Sequence, residues 1–331
     1  KTSAVRLYGK HDLRLESFDL PEPGENEILA DVVTNSICMS SYKAAIQGPD
    51  HKRIPKDVAK NPTILGHEFC GTLLKVGSKL KGKYREGTKY TVQTALNVPG
   101  RELDAVGYSF KYIGGDATKV IIPAEVFDMN CFLHYDGDAY FKASLSEPMS
   151  CIVGAFNMQY HYKQGEYDHK MGIAEGGALA ILAGAGPMGL GAIDYAMHGP
   201  KKPRLIVVTD VDQARLDRAA SLLRPADAKK IGVDLRYINT GTGDTVASLK
   251  AASGGKGFDD VFVFAPVAPV VEQASKILGY NGCLNFFAGP SKADFSAAIN
   301  FYDVHYMGHH VVGSSGGNTA DMQEALDLMS K

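Results

Sequence analysis

The chain lacks the excesses that usually give a class away. Its 331 residues carry 35 Lys and Arg against 37 Asp and Glu, a net charge of -2, so no strong overall field draws it to nucleic acid or to an anionic membrane. No apolar run approaches the roughly 18 residues that a membrane span needs. The opening "KTSAVRLYGKHDLRLESF" has no apolar stretch of the kind a secretory signal carries, so none is expected there. The five cysteines, Cys38, Cys70, Cys131, Cys151 and Cys283, are widely spaced with no CxxC. That argues against a disulfide framework and for a reducing, cytoplasmic setting. There is no tandem repeat and no low-complexity tract. What is present, 45% hydrophobic and 22% charged residues, is ordinary globular composition, long enough for about two domains.

The two halves have different grammar. Up to about residue 154, short β-branched runs such as "NEILADVVTNSIC", "GTKYTVQTAL" and "GGDATKVIIP" are set off by Gly, Pro and Asn, which reads as mostly strand. No long helical period is expected before "SLSEPMSCIVGAFNMQY". From about 178 to 317, six apolar runs ("GALAILAG", "RLIVVTD", "DLRYINT", "DDVFVFAP", "GCLNFFAG", "HHVVGSSG") alternate with amphipathic segments. This pattern predicts a parallel sheet buried on both faces by helices, an α/β doubly wound domain. After it, "GGNTADMQEALDLMSK" starts a helix with Asn318 or Thr319 as N-cap. Its apolar face of Met322, Ala325, Leu326 and Met329 needs a partner. The expectation is that the natural C-terminus lies beyond Lys331.

"ALAILAGAGPMGLGAIDYAM" holds Gly184, Gly186 and Gly189 in GxGxxG spacing, after an apolar strand and at the opening of a helix. That context is the one a dinucleotide loop needs. The spacing assigns phosphate binding to the loop Gly184, Gly186, Pro187, Met188 and Gly189, with the phosphates at the helix N-terminus. The next strand, "RLIVVTD", ends in Asp210, placed to accept hydrogen bonds from the adenine-ribose hydroxyls of NAD and to repel the 2′-phosphate of NADP. Val211 and Asp212 add no cation.

In "ILGHEFCGTLLKVG", His67 and Glu68 stand side by side between glycines. Upstream lies Cys38 in "NSICMSSYKAA" and downstream Glu147 in "SLSEPMSC". A thiolate, an imidazole and a carboxylate form a mixed S/N/O set suited to Zn²⁺, and three protein ligands leave a fourth position open for chemistry. Taken singly, Cys38 also reads as a core thiol and Glu147-Pro148 as helix-entry chemistry.

These motifs resemble the zinc-dependent medium-chain dehydrogenases/reductases, the alcohol and sorbitol dehydrogenase family, over essentially the whole chain. "GHEFCGTLLKVG" matches the family's GHExxGxxxxxG signature. "GGDATKVIIP" resembles its GGxAEYVxVP strand, "SEPMSC" its E-P segment and "GAGPMG" its nucleotide loop. The resemblance implies a mostly-β GroES-like catalytic domain over 1–154 and a six-stranded Rossmann domain over 155–317. Residues 318–331 would then begin the helix returning to the catalytic domain. It further implies zinc ligation by Cys38 and His67, with Glu147 as the first choice of third ligand and Glu68 as the second. Ser40 falls where the family keeps a proton-relay hydroxyl; Ser40 and Glu68 are the catalytic residues expected. The family often carries a structural zinc on four close cysteines; "TALNVPGRELDAVGYSFKY" has none, so a single zinc is expected. The family's usual Asp three residues after the zinc cysteine is Ser41, and a frequent His at plus five is Lys43.

The implied activity is reversible hydride transfer between NAD(H) and a secondary alcohol or ketone of a polyol or ketose phosphate, of the L-sorbose 1-phosphate or glucitol 6-phosphate type. Rivals are an unphosphorylated polyol dehydrogenase, a metal-free enone or quinone reductase on the same fold, and a non-enzymatic crystallin-like or nucleotide-sensing protein. In the resembling family the segment after the zinc cysteine lines the substrate cleft. Here Lys43, Lys52 and Arg53 in and before "GPDHKRIPKDVAK" are candidate phosphate contacts, against the plainer reading of a solvated loop. The expected partners are a small-molecule substrate and a second copy, in a homodimer or homotetramer using the edge strand "HHVVGSSG".

Overall fold

The β-branched runs of the first half do fold as strands. In the computed structural model, which describes residues 1–163 and 165–330, they build one antiparallel sheet. Its order is Lys119–Ile122, Ile28–Asp31, Glu68–Val76, Lys89–Val92 and Phe132–His134, with Thr34–Ser36 also paired to Glu68–Val76. A second sheet joins Asp12–Phe18, Thr2–Gly9 and Thr63–Ile64. Strand alternation sends Ile28, Ala30, Phe69, Leu73, Tyr90, Val92, Val120 and Ile122 into one buried cluster. Each large side chain so buried contributes about 1.5–3 kcal/mol.

A nine-residue helix comes earlier than the sequence pattern suggests. Met39–Gln47 is α-helical, and only Ala44 and Ala45 of it are buried. Two small apolar contacts leave too faint a period to read in advance.

These strands belong to a unit made of Lys1–Ser150 and Gly316–Lys331; Cys151–Ser315 forms the other. The helix Thr319–Met329 opens with a capping box between Asn318 and Asp321, which satisfies free N–H groups of its first turn. Met322 and Leu326 pack with Cys70, Leu133, Tyr135 and Ala143. The partner this helix needs is therefore supplied by the first unit.

The second unit holds a six-stranded, all-parallel sheet. Its order is Asp234–Asn239, Leu205–Asp210, Ala178–Leu182, Phe258–Val263, Leu278–Phe286 and His310–Val312. Ala178–Leu182 and Leu205–Asp210 are buried at every position, as expected of strands covered on both faces. The strand order reverses beside Ala178–Leu182, which creates the switch point where such sheets bind ligands. Elsewhere in this unit Asp260, 2% exposed, anchors a buried polar network. It accepts from Gln159 Nε2 at 2.8 Å, His161 Nε2 at 3.0 Å and the Ala174 N–H at 2.8 Å. His161 Nδ1 lies 3.2 Å from the Asn281 carbonyl. Among the described residues, no helix is long and apolar enough to cross a membrane.

Candidate metal and nucleotide sites

The register of two short strands assembles the first site. Ser36 pairs with Glu68 in an antiparallel ladder. Continuing past Ser36, the chain therefore runs alongside the residues preceding Glu68. That brings Cys38, at the start of the helix Met39–Gln47, beside His67. A ligand atom from each of Cys38, His67 and Glu68 lies within 4.8 Å of the others. The His67 Nε2 to Glu68 Oε1 distance is 4.0 Å.

Burial governs the protonation of this set. It pushes His67 down to about 4, with the positive charge of Arg53 adding to the effect. The imidazole is neutral at pH 7, with a lone pair free for a metal. Burial pushes the Cys38 thiol up to about 11, against a hydrogen bond from Ser40 and with the charge of Glu68. Glu68 is also raised by burial, while hydrogen bonds from Ser36 and Cys38 oppose the shift. Glu147 is pushed up to about 8, first by burial and then by the charge of Glu68, with Arg53 opposing. A thiol, an imidazole and a carboxyl brought together, with their charged forms disfavoured by burial, are a donor set that a divalent cation would satisfy. The set of mutually close ligand atoms contains Glu68 and not Glu147.

Hydroxyls surround these ligands. Ser36 Oγ donates to Glu68 Oε2. Ser40 Oγ donates to Cys38 Sγ at 3.0 Å and lies 3.3 Å from His67 Nε2. Ser41 Oγ lies 3.3 Å from His67 Nδ1, so the residue standing in for an expected Asp still touches the ring. Tyr108 is the residue that sequence reasoning missed. Its hydroxyl donates to Ser40 Oγ at 2.7 Å, and its ring is tilted against His67 with centroids 4.9 Å apart. The stretch around it carries no cysteine, and the glycine-aromatic pair Gly107-Tyr108 is the signal it offers.

The basic segment divides. The Arg53 guanidinium lies 5.6 Å from the Tyr108 ring centroid, and its charge reaches His67 and Glu147. The His51 ring stacks on Tyr108 at 5.6 Å. Burial lowers the His51 pKa, and the charges of Arg53, Lys52 and Lys43 lower it further. Lys52 and Lys56 are exposed, and Lys56 Nζ is taken up by the Pro49 carbonyl at 2.5 Å.

The nucleotide loop forms separately, in the second unit. Gly186 is the N-cap of the helix Pro187–His198, with Pro187 and Met188 in its first turn. A Cβ on Gly189 would meet the Gly184 carbonyl oxygen at 2.0 Å, whereas a Cβ on Gly186 would meet nothing within 4 Å. The third glycine thus permits helix-strand contact, and the second leaves open the space a phosphate would use. Asp210 ends its strand 7% exposed. Its Oδ2 accepts from the Ala185 N–H at 3.3 Å, and its Oδ1 from Val211 and Asp212 N–H at 2.8 and 3.1 Å. The carboxylate therefore ties the glycine loop to the end of the second strand. The next helix is capped by Asp212. Arg215, the first cation after Asp210 along the chain, sits 3.7 Å from Asp212.

Residues 187–331 match the model of the zinc-binding dehydrogenases, and residues 24–129 that of the alcohol dehydrogenase GroES-like domain. The chain is 52% identical over 328 residues to L-sorbose 1-phosphate reductase of Klebsiella pneumoniae, covering 99% of this chain and 78% of that protein. It is 49% identical over 332 residues to mannitol-1-phosphate 5-dehydrogenase of Aliivibrio fischeri, covering 100% and 78%. In fold it resembles 2R,3R-butanediol dehydrogenase from Bacillus subtilis, with a TM-score of 0.77 at 20% identity over 100% of this chain and 88% of that one. It also resembles a putative zinc-binding dehydrogenase from Sinorhizobium meliloti 1021 bound to NADP, with a TM-score of 0.78 at 21% identity over 99% and 88%.

Proposed function

Because the chain belongs to the zinc-dependent medium-chain dehydrogenases/reductases, as an oxidoreductase of the polyol and sugar-phosphate kind, we propose that it interconverts a ketose phosphate and the corresponding polyol phosphate with NAD(H). Overall, one ketone, one NADH and one proton give one secondary alcohol and one NAD⁺.

Cys38, His67 and Glu68 would hold the zinc, and the loop from Gly184 to Gly189 with Asp210 would hold the dinucleotide. When bound, zinc supplies a Lewis acid for the oxygen on the reacting carbon, and the nicotinamide supplies or takes up the hydride. The protein's own residues do the rest. His67 stays neutral because it is buried, which keeps it a ligand rather than an acid. Ser36 orients the Glu68 carboxylate. Ser40 touches two of the three ligand side chains, and its hydroxyl is the group through which the proton reaches or leaves the substrate oxygen. Arg53 grips the substrate's phosphate, its planar fork suited to bidentate contact with phosphate oxygens.

The observation that carries this reading is the Cys38–His67–Glu68 group with the Arg53 guanidinium over the neighbouring Tyr108 ring. The choice of NAD over NADP rests on the buried carboxylate of Asp210. The test is zinc content of the purified protein together with a panel of ketoses and their 1-phosphates, each with NADH and NADPH. Stoichiometric zinc and a preference for phosphorylated ketoses with NADH are expected. Equal use of sorbose or fructose and their 1-phosphates would favour a plain polyol dehydrogenase instead.

A further inference from the structure

Tyr108 is buried, 3% exposed, in a small cluster with Leu7, Ala44, Ile54 and Leu65. The turn that carries it is fitted against the turn that carries His67. Gly107 has φ +77°, and a Cβ there would meet the Gly66 carbonyl oxygen at 2.1 Å and His67 Cβ at 2.9 Å. The phenol is therefore held in place from both ends, by core packing and by backbone-to-backbone fit. Its hydroxyl points at Ser40 Oγ, 2.7 Å away, and lies 3.4 Å from His67 Nε2.

A serine hydroxyl has one proton and two acceptor positions. In this site Tyr108 gives its proton to one of those acceptor positions, and the proton of Ser40 is turned toward Cys38 Sγ. Remove the phenolic hydroxyl, and Ser40 loses the donor that lies 2.7 Å from its Oγ and is freer to leave its rotamer. The two positions from which the resemblance would draw further relay groups are Ser41 and Lys43. Ser41 faces the other ring nitrogen of His67. The second hydroxyl next to Ser40 comes instead from residue 108.

We infer that Tyr108 is a positioning residue for the dehydrogenase reaction, holding Ser40 so that its one proton faces the metal ligands and the substrate oxygen. The inference rests on the zinc-dehydrogenase reading above. Tyr108 acts only through Ser40: a proton that Ser40 passes to the substrate oxygen is replaced by one from solvent, and the phenol ends each turnover protonated as it began.

Tyr108→Phe keeps the ring, with its packing against His51 and His67, and deletes only the hydroxyl. In the zinc-loaded full chain, with the ketose 1-phosphate and NADH, we expect kcat to fall about tenfold, or about 1.4 kcal/mol. KM should stay within about twofold and zinc stoichiometry should not change. On a Ser40→Ala background the same change should alter kcat by less than about twofold, because the group it acts through is gone. Additive losses in the double variant, or loss of zinc in Tyr108→Phe, would overturn the inference. Crystal structures of the zinc-loaded wild type and Tyr108→Phe give a readout independent of activity. Ser40 should occupy one rotamer in the first and leave it or spread over several in the second. An unmoved Ser40 in the variant sinks the role of Tyr108 whatever the substrate is. A wild type inert toward the whole panel, with the rotamer change present, counts against the substrate reading alone.

Discussion

Replacing Arg53 by Ala separates phosphate recognition from general support of the site. The guanidinium makes two kinds of contribution. One is its packing over the Tyr108 ring, 5.6 Å from the centroid, which as a cation–π contact contributes about 0.5–1 kcal/mol and more when desolvated. This part is present with any substrate. The other is the proposed bond to phosphate, which as a hydrogen bond between charged groups contributes about 1.5–3 kcal/mol and exists only with a phosphorylated substrate. Arg53→Ala should therefore raise KM for a ketose 1-phosphate by roughly 10- to 150-fold. For the unphosphorylated ketose it should change catalytic efficiency by no more than about fivefold. Arg53→Lys should fall between, since a point charge remains and the fork is lost. Because the contact is remote from the reacting carbon, its loss should appear mainly in KM. The assay is steady-state NADH oxidation with paired phosphorylated and unphosphorylated ketoses. An equal loss for both members of each pair would refute the phosphate contact and leave only the packing role.

Cys38→Ala should remove the zinc and nearly all turnover while the nucleotide unit still binds NADH; retention of both stoichiometric zinc and turnover, by elemental analysis and assay, would show that the ligand set is wrong. Asp210→Asn should narrow a preference for NADH over NADPH that we place at roughly tenfold to a hundredfold, read as the ratio of kcat/KM values; a wild type that uses NADPH equally well refutes the role of Asp210. Burial acts to lower the pKa of His161, but its hydrogen bond and charge interaction with Asp260 outweigh this and raise it, so the stability it contributes is complete below its unfolded value near 6.5 and fades as pH rises through the higher folded value. Thermal melting of wild type and His161→Gln should accordingly differ most near pH 6 and converge toward pH 9, and a gap that does not vary with pH would contradict this.

The parts legible in the sequence were those in which chemistry and local order coincide. The glycines from 184 to 189 lie between a strand and a helix, and His67 and Glu68 stand side by side between Gly66 and Gly71. Cys38 could be named from its residue type and the resemblance, but what brings it to His67 is the Ser36–Glu68 register, a pairing over 32 residues that composition does not encode. Tyr108 was hidden for the same reason, since 68 residues separate it from Ser40. Asp210 was found at its strand end, yet its use by three backbone N–H groups follows from the shape of the loop rather than from any spacing. The helix Met39–Gln47 escaped notice because its packing needs only two alanines.

The seating of Met322 and Leu326 against Cys70, Leu133, Tyr135 and Ala143 sets an order of events on the ribosome. The residues that receive this helix are all made by position 143, but the helix itself emerges only after all of Cys151–Ser315 has been made. At about 5–20 residues per second, that interval lasts on the order of 10 to 35 seconds. Throughout it, the strand that begins at Glu68, one residue past His67, lacks part of its cover at Cys70. A nascent chain stalled within the nucleotide unit should therefore present an apolar surface that the finished protein never shows, and this is where a chaperone would find it.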